Sequence, residues 1–154
     1  MKRFLSIFLV AILIVLQIPG VTLAMGEGEG ENPRIIITSS NSYTAEGGES
    51  LNITVKIKNN SRDDWADAYD ITGTLGNDPT GMVYIDGSSY DSVKELRSGN
   101  TSSLSFRVKV DEMAEDRNYT LPLNISYYNF DGVQQPTITE AINIRVKNTK
   151  TSPQ

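Results

Sequence analysis

Apolar side chains recur at every second position over much of this chain, and this period limits the folds that are open to it. From residue 51 to residue 57, every odd-numbered residue is aliphatic and every even-numbered residue is polar. Because successive side chains of a β-strand point to opposite faces, the pattern predicts a strand with one buried and one solvated face. The same alternation predicts strands at residues 104–110, 119–127 and 138–146.

Shorter stretches with the same character predict further strands at residues 34–38, 68–75, 82–85 and 93–96. Glu140 shares the inward parity of the last long strand, which is typical of an edge or a bulge. Asp131-Gly132 supplies the positive φ angles of a tight turn, so the last two strands should pair antiparallel. Seven or eight short strands, each with one apolar face, predict an all-β, antiparallel sandwich of two packed sheets.

The N-terminal segment has the pattern of a signal peptide over residues 1–24. Lys2 and Arg3 precede an apolar run at 4–18, and small residues lead up to a cleavage site after Ala24. A retained membrane anchor is the competing interpretation, since residues 4–24 are long enough for a spanning helix of roughly 20 residues. Both interpretations place the remaining chain outside the cytoplasm, secreted or associated with the cell envelope.

The repeat "GEGEGE" predicts a flexible linker over residues 25–33, because glycine keeps the backbone free and the glutamates repel one another. Calcium binding by Glu27, Glu29 and Glu31 would require ordering this segment, which costs conformational entropy. Residues 148–154 read as a disordered polar tail. One folded domain is therefore expected at residues 34–147.

The composition argues against several classes of function. Removing Lys2 and Arg3 from the 14 basic residues leaves 12 against 19 acidic ones, a net charge of about −7 that disfavours nucleic acid and anionic lipid as partners. The chain has no histidine and no cysteine. It therefore lacks the usual general base, a thiolate nucleophile, the ordinary zinc ligands and disulfides. We expect no enzymatic activity, no catalytic or metal site and no cofactor.

The series "LNITVKIKNNS", "ADAYDITGTL", "KELRSGNTSSLSFRVKVD" and "MAEDRNYTLPLNISYYNFDG" resembles the CARDB-type module, a cell-adhesion-related domain, and its S-layer-associated relatives. The resemblance covers roughly residues 34–147. The family pattern is filled by Asn59, Ala68 with Ile71, Leu96 with Gly99, Phe106, and Tyr119 with Leu121. It implies an immunoglobulin-like β-sandwich at the cell surface, although the tandem repetition common in that family is missing from this single copy.

Two aromatic residues are candidates for defined roles. Tyr119 opens a strand after a crossover, which is typical of a tyrosine corner that ties the crossover down. Trp65 lies just before a strand, with Tyr69 at the same parity. We expect Trp65 in the core, as in many immunoglobulin-like domains. If it is exposed instead, Trp65 becomes the best candidate for anchoring a partner.

An acidic cluster accompanies Trp65, formed by Asp63, Asp64, Asp67 and Asp70. Calcium binds such carboxylates, but the spacing does not match an EF-hand, and a solvated loop is the alternative. Five Asn-x-Ser/Thr triplets begin at Asn52, Asn59, Asn100, Asn118 and Asn124; their glycosylation depends on the host and is left open.

These observations favour a non-catalytic surface module for adhesion, whose partner is a protein or a cell-wall polymer. Contact would use the loops at one end of the sandwich or an unpaired sheet edge. One alternative is an accessory ligand-binding domain of a membrane exporter or a carbohydrate-active assembly, with Trp65 and Tyr69 as contacts. Another is calcium-dependent adhesion through residues 63–70. A membrane contact is expected only if the N-terminal segment is retained.

Overall fold

A computed structural model describes residues 31–149 of the chain. The predicted signal peptide, most of the predicted linker with Glu27 and Glu29, and residues 150–154 of the predicted tail lie outside the described residues. Residues 31–149 contain no helix, and hence none that is long and apolar enough to cross a membrane.

The described residues form an all-β sandwich of nine strands in two sheets, where seven or eight strands were expected. The strands are β1 Ile35–Ile37, β2 Ser42–Glu46, β3 Ser50–Asn59, β4 Ala68–Leu75, β5 Val83–Ile85, β6 Tyr90–Leu96, β7 Thr101–Val110, β8 Asn118–Tyr128 and β9 Ile138–Lys147. One sheet has the order β1-β3-β7-β5 and the other the order β2-β9-β8-β4-β6. Neighbouring strands pair antiparallel, as predicted, with one exception: β2 and β9 are parallel, because the chain passes from β1 in one sheet to β2 in the other.

All eight predicted strand segments are confirmed, and the additional strand is β2. Its sequence "SYTAE" has only Tyr43 and Ala45 as apolar residues, which is too short an alternation to identify a strand. It becomes a strand because β9 supplies a parallel partner over five register positions, from Ser42 to Glu46. The pairing partner therefore decides this element.

The inward positions of the alternating strands form one aliphatic layer between the sheets. Its largest fully buried side chains are Ile53, Ile57, Leu104, Ile71, Leu75, Leu121, Leu123, Ile125, Ile142 and Ile144. Outward positions of the same strands are exposed or half-buried, which confirms the predicted alternation. Glu140, at an inward parity, is half-buried near the start of β9, and its Oε1 accepts a 2.9 Å hydrogen bond from Asn41 Nδ2.

Both lateral edges of the sandwich are formed by chain segments that pass from one sheet to the other. β1 pairs with β3 in the four-stranded sheet, and β2, only a few residues later, pairs with β9 in the five-stranded sheet. On the other side, β5 pairs with β7 and β6 then pairs with β4. At this second edge, Asp91 Oδ2 accepts a 2.8 Å hydrogen bond from Ser105 N across the two sheets. Three of the four edge strands are short, since β1 and β5 have three residues and β2 has five, whereas β6 has seven. Short edges limit the addition of a foreign strand.

The final two strands pair antiparallel, as the Asp131-Gly132 step predicted. The hairpin tip is longer than a two-residue loop. Tyr128, the last residue of β8, bridges to Gln134, and residues 129–133 lie between them. Gly132 has φ +73°, and its N–H donates to Asn129 O at 3.0 Å. Asp131 has no positive φ, so the antiparallel pairing is confirmed but the predicted tight Asp-Gly turn is confirmed only at Gly132.

Tyr119 forms the predicted corner with the crossover between β7 and β8. Its ring is buried, and its hydroxyl accepts a hydrogen bond from Glu115 N at 2.9 Å. Asn148, the first residue of the predicted tail, is also buried, and its Nδ2 donates to Glu112 O and Ala114 O at 3.0 and 2.7 Å. Both contacts hold the same crossover against the strands.

Gly73 in β4 allows the sheets to approach each other, and replacing it should be costly. A Cβ atom at this position would lie 2.6 Å from Leu104 Cδ1 and 3.3 Å from Phe106 Cζ, inside the core. We expect Gly73→Ala to lower the free energy of unfolding by about 1–3 kcal/mol through overpacking. Urea denaturation checks this result. Thr74→Ala, at the exposed neighbouring position, is the control and should stay within about 0.5 kcal/mol; equal midpoints for the two variants would contradict the assignment.

Candidate interaction surface at the loop end

Four chain segments meet at one end of the sandwich, which we call the loop end. They are the entering segment 31–34, the β3–β4 loop at 60–67, the β6–β7 turn at 97–100 and the β8–β9 loop at 129–137. They meet because β3, β6 and β8 finish at this end, whereas β4, β7 and β9 begin there. Loops carried in this way by a rigid scaffold are common places for binding residues.

The fully buried side chain of Asn59 ties this end together. Its Nδ2 donates to Ala66 O at 2.7 Å in the β3–β4 loop and to Leu96 O at 3.0 Å at the end of β6. Its Oδ1 accepts from the Ser61 hydroxyl at 2.6 Å. Since Asn59 belongs to one sheet and Leu96 to the other, a single amide fixes the loop relative to both sheets.

Further hydrogen bonds restrict the same loop. Ser98 N donates to Asp67 Oδ1 at 2.9 Å, and the Ser98 hydroxyl donates to Ser61 O at 3.0 Å. The β6–β7 turn therefore holds the β3–β4 loop at two points.

The entering segment lies between the β3–β4 and β8–β9 loops. Arg62 N donates to Glu31 Oε2 at 2.9 Å, and Asn129 Nδ2 donates to Asn32 Oδ1 at 3.1 Å. Asn60 N also donates to Arg34 O at 2.7 Å. Residues 31–33, which close the predicted linker, thus join two loops of the domain.

Trp65 is 87% exposed, so the prediction that it packs in the core was wrong. The physical reason is local. Asp63 forms a turn in which its Oδ1 accepts from Trp65 N at 3.0 Å and its carbonyl accepts from Ala66 N at 3.0 Å. This turn, together with the Asn59 bond to Ala66 O, buries the small side chains Ala66 and Ala68 and leaves the indole outside.

Other large apolar side chains at this end are exposed as well. Phe130 and Val133, in the β8–β9 loop, are 79% and 56% exposed. The Phe130 ring meets the Tyr69 ring edge-on, with a centroid distance of 6.2 Å and an interplanar angle of 62°. Tyr69 is half-buried and lies opposite Tyr128 in the register of β4 and β8. Tyr69 therefore supports Phe130, and the two loops present their aromatic side chains at the same end.

The hydroxyl of Tyr69 stays protonated at neutral pH and can donate a hydrogen bond. Its pKa is raised above the ordinary tyrosine value, first by partial desolvation and then by the carboxylates of Asp67 and Glu95. These negative charges disfavour the phenolate form.

The four aspartates of the predicted acidic cluster do not converge on one point. Asp63 and Asp67 each accept a backbone hydrogen bond within the loop end, and Asp70 sits at a bulge of β4 with φ +47°. Within residues 31–149 no group of three or more acidic, histidine or cysteine side chains is arranged to hold a metal ion. The described geometry provides no support for the calcium hypothesis.

The sequence interpretation missed Phe130 and Val133. A signal was present, because both residues flank the Asp131-Gly132 turn. The tip of a tight turn projects away from the sheets, so a large apolar residue there has few core neighbours to pack against.

No family model and no curated protein matches this chain. Its fold is similar to solved structures at low identity. A family 123 glycoside hydrolase from Clostridium perfringens is 10% identical with a TM-score of 0.50, and the match covers 76% of this chain and 27% of that one. The chain thus spans about a quarter of that enzyme. A cohesin module of a family 33 glycoside hydrolase from Clostridium perfringens is 9% identical with a TM-score of 0.48, over 76% of this chain and 98% of the module.

Replacing Asn59 should loosen the loop end and the whole sandwich. Asn59→Ala leaves two buried carbonyl oxygens without their donor, so we expect a loss of about 1–3 kcal/mol in the free energy of unfolding. Chemical denaturation measures the loss. Asn60→Ala, at the exposed adjacent position, is the matched control; a similar small effect for both variants would show that the buried amide does not hold the loops.

Proposed function

We propose that this chain is an exported, non-catalytic module of the cell envelope that binds a partner protein through its loop end. The observation that carries the proposal is the exposure of Trp65 on a loop that the buried Asn59 side chain fixes by its hydrogen bond to Ala66 O. Large exposed apolar groups rimmed by polar residues mark interaction sites on soluble domains. Tryptophan and tyrosine are also the residues that most often dominate binding energy.

The rigidity of the β3–β4 loop supports this function. Ordering a mobile loop on binding reduces the affinity, whereas a loop already fixed in its bound form avoids that cost. Asn59 and Ser98 both hydrogen-bond to the loop, and within residues 31–149 the Trp65 backbone N–H donates to Asp63 Oδ1. The loop is therefore held in place although the Trp65 indole is not buried among residues 31–149.

An immunoglobulin-like, CARDB-type classification belongs to the same proposal. Three features support it: two packed sheets, a tyrosine corner at Tyr119, and loops that gather at one end of the sandwich. The predicted signal peptide supports export. Adhesion is the role that this classification implies, with the loop end as the contact surface.

Loop contact is better supported than strand addition. A strand-accepting edge needs a row of free backbone groups, but β1 and β5 are three residues long and β2 has five. The longest edge strand, β6, has seven residues, and its Asp91 side chain is hydrogen-bonded to β7 of the opposite sheet. The aromatic loops provide a larger and more specific surface.

Trp65→Ala separates binding from stability. Since the indole is exposed, we expect the free energy of unfolding to stay within about 0.5 kcal/mol of the parent. The affinity for a partner captured by crosslinking in envelope fractions should fall about 30-fold or more, as for a hot spot of roughly 2 kcal/mol. Thermal melting and titration of the purified partner provide the two measurements.

Met113→Ala is the matched control, because Met113 is an exposed apolar residue, 72% accessible, on the β7–β8 crossover at the opposite end. It should leave the affinity unchanged. Equal losses for Trp65→Ala and Met113→Ala, or undiminished binding by Trp65→Ala, would refute the loop end as the binding surface.

A further inference from the structure

The two sheets present outer faces of different chemistry. The four-stranded sheet carries Lys56 and Lys58 on β3, and Arg107 and Lys109 on β7, at outward positions. Over the centre of the five-stranded sheet, a set of outward positions carries uncharged side chains. These are Ser42 on β2, Thr72 and Thr74 on β4, Tyr90 and Ser92 on β6, Thr120, Pro122, Asn124 and Ser126 on β8, and Thr139, Ala141 and Asn143 on β9. We call this set the neutral face.

Strand register arranges the neutral face in rows. One row runs Tyr90, Thr74, Asn124 and Thr139 across four neighbouring strands. A second row runs Ser92, Thr72 and Ser126, and a third runs Thr120, Asn143 and Ser42. Charged side chains border these rows. They are Asp70, exposed at the bulge of β4, Lys94 and Glu95 near the end of β6, and Arg145, Lys147 and Glu46 at the end away from the loops.

Hydrogen bonds within two rows orient the amides. The Thr139 hydroxyl donates to Asn124 Oδ1 at 2.9 Å, and the Thr120 hydroxyl donates to Asn143 Oδ1 at 3.1 Å. Each amide oxygen is thereby engaged, and neither amide nitrogen has a hydrogen-bond partner within residues 31–149. Two oriented NH₂ groups therefore stand on the face, ready to donate.

We propose that the neutral face binds a neutral polysaccharide. Hydroxyl and amide side chains both donate and accept hydrogen bonds, which matches the hydroxyl groups of sugars. No ion has to be desolvated when an uncharged polymer covers these rows, whereas an ionised group would lose hydration without a counter-charge. Tyr90, 63% exposed at one side of the central row, adds an aromatic surface against which a sugar ring can pack.

The same composition argues against a protein or a second copy of this chain on the neutral face. Stable protein interfaces have a buried apolar or aromatic centre surrounded by a polar rim. Here the centre holds threonine, asparagine and serine, and its apolar members, Pro122 and Ala141, are small. Polyanions are also disfavoured, because the rows contain no cation to neutralise them.

This inference does not rest on the proposed function, because it concerns a different surface. The protein-binding proposal depends on Trp65 in the β3–β4 loop, whereas the polysaccharide proposal depends on the strand rows. Each can fail without the other.

Affinity electrophoresis of the full chain from an exporting host tests the proposal. The gels contain a neutral polysaccharide (β-glucan, mannan, xylan or glycol chitin) or, for comparison, anionic polygalacturonate. We expect retardation by at least one neutral polymer and none by polygalacturonate. Thr74→Lys, in the middle of the face, should weaken that retardation at least 10-fold.

Thr54→Lys is the matched control, since Thr54 is an exposed threonine at an outward position of β3 on the opposite sheet. This variant and Trp65→Ala should both keep the parental retardation. The proposal is overturned if no neutral polymer retards the parent, if polygalacturonate retards it equally, or if Thr54→Lys weakens retardation as much as Thr74→Lys. Melting curves establish that both lysine variants are folded.

Covalent glycosylation is the competing explanation for an uncharged face. Asn118 and Asn124 begin two of the Asn-x-Ser/Thr triplets, and both asparagines are exposed on the five-stranded sheet, Asn124 in the central row. The intact mass of the chain purified from its own host distinguishes covalent glycosylation from polysaccharide binding. An unmodified mass agrees with a free binding face; a glycan attached to Asn124 would occupy the central row and overturn the proposal.

Discussion

One layer of aliphatic side chains between two sheets holds this domain together, and every other feature is attached to that layer. The chain has no cysteine, so no disulfide assists burial. Inward isoleucine, leucine and valine residues fill the layer, and Gly73 lets β4 approach Leu104 and Phe106 of the opposite sheet. Because the segments β1–β2 and β5–β6 each pass between the sheets, the layer is also closed at its sides.

Two asparagines among the described residues are fully buried or nearly so, one at each end of this layer. Asn59 joins the β3–β4 loop to β6, and Asn148 joins the end of β9 to the β7–β8 crossover. A buried amide satisfies backbone carbonyl groups that strands leave unpaired where they end. These contacts turn irregular segments into fixed parts of the scaffold, and at the loop end they position Trp65.

The surface is divided by chemistry. An acidic chain carries basic side chains on the outer face of its four-stranded sheet, rows of uncharged side chains on its five-stranded sheet and exposed aromatic side chains on its loops. Such segregation is not needed for folding, since outward strand positions accept many polar residues at little cost. A rigid sandwich that offers separate surfaces is suited to bringing two different partners together, and the two proposals assign a protein to one surface and a polysaccharide to another.

The alternating sequence by itself determined the strands with long apolar periods, the antiparallel pairing of β8 with β9 and the corner at Tyr119, because each depends on side-chain parity or local turn chemistry. Only the tertiary structure decided three other features. β2 is a strand because β9 lies beside it. Trp65 is exposed because Asn59 and the Asp63 turn bury its alanine neighbours instead. The neutral face exists because strand register aligns residues that are distant in the chain. Periodicity shows which side of a strand is buried. Long-range pairing decides which strands become neighbours, and therefore which side chains lie next to one another on the outer face of a sheet.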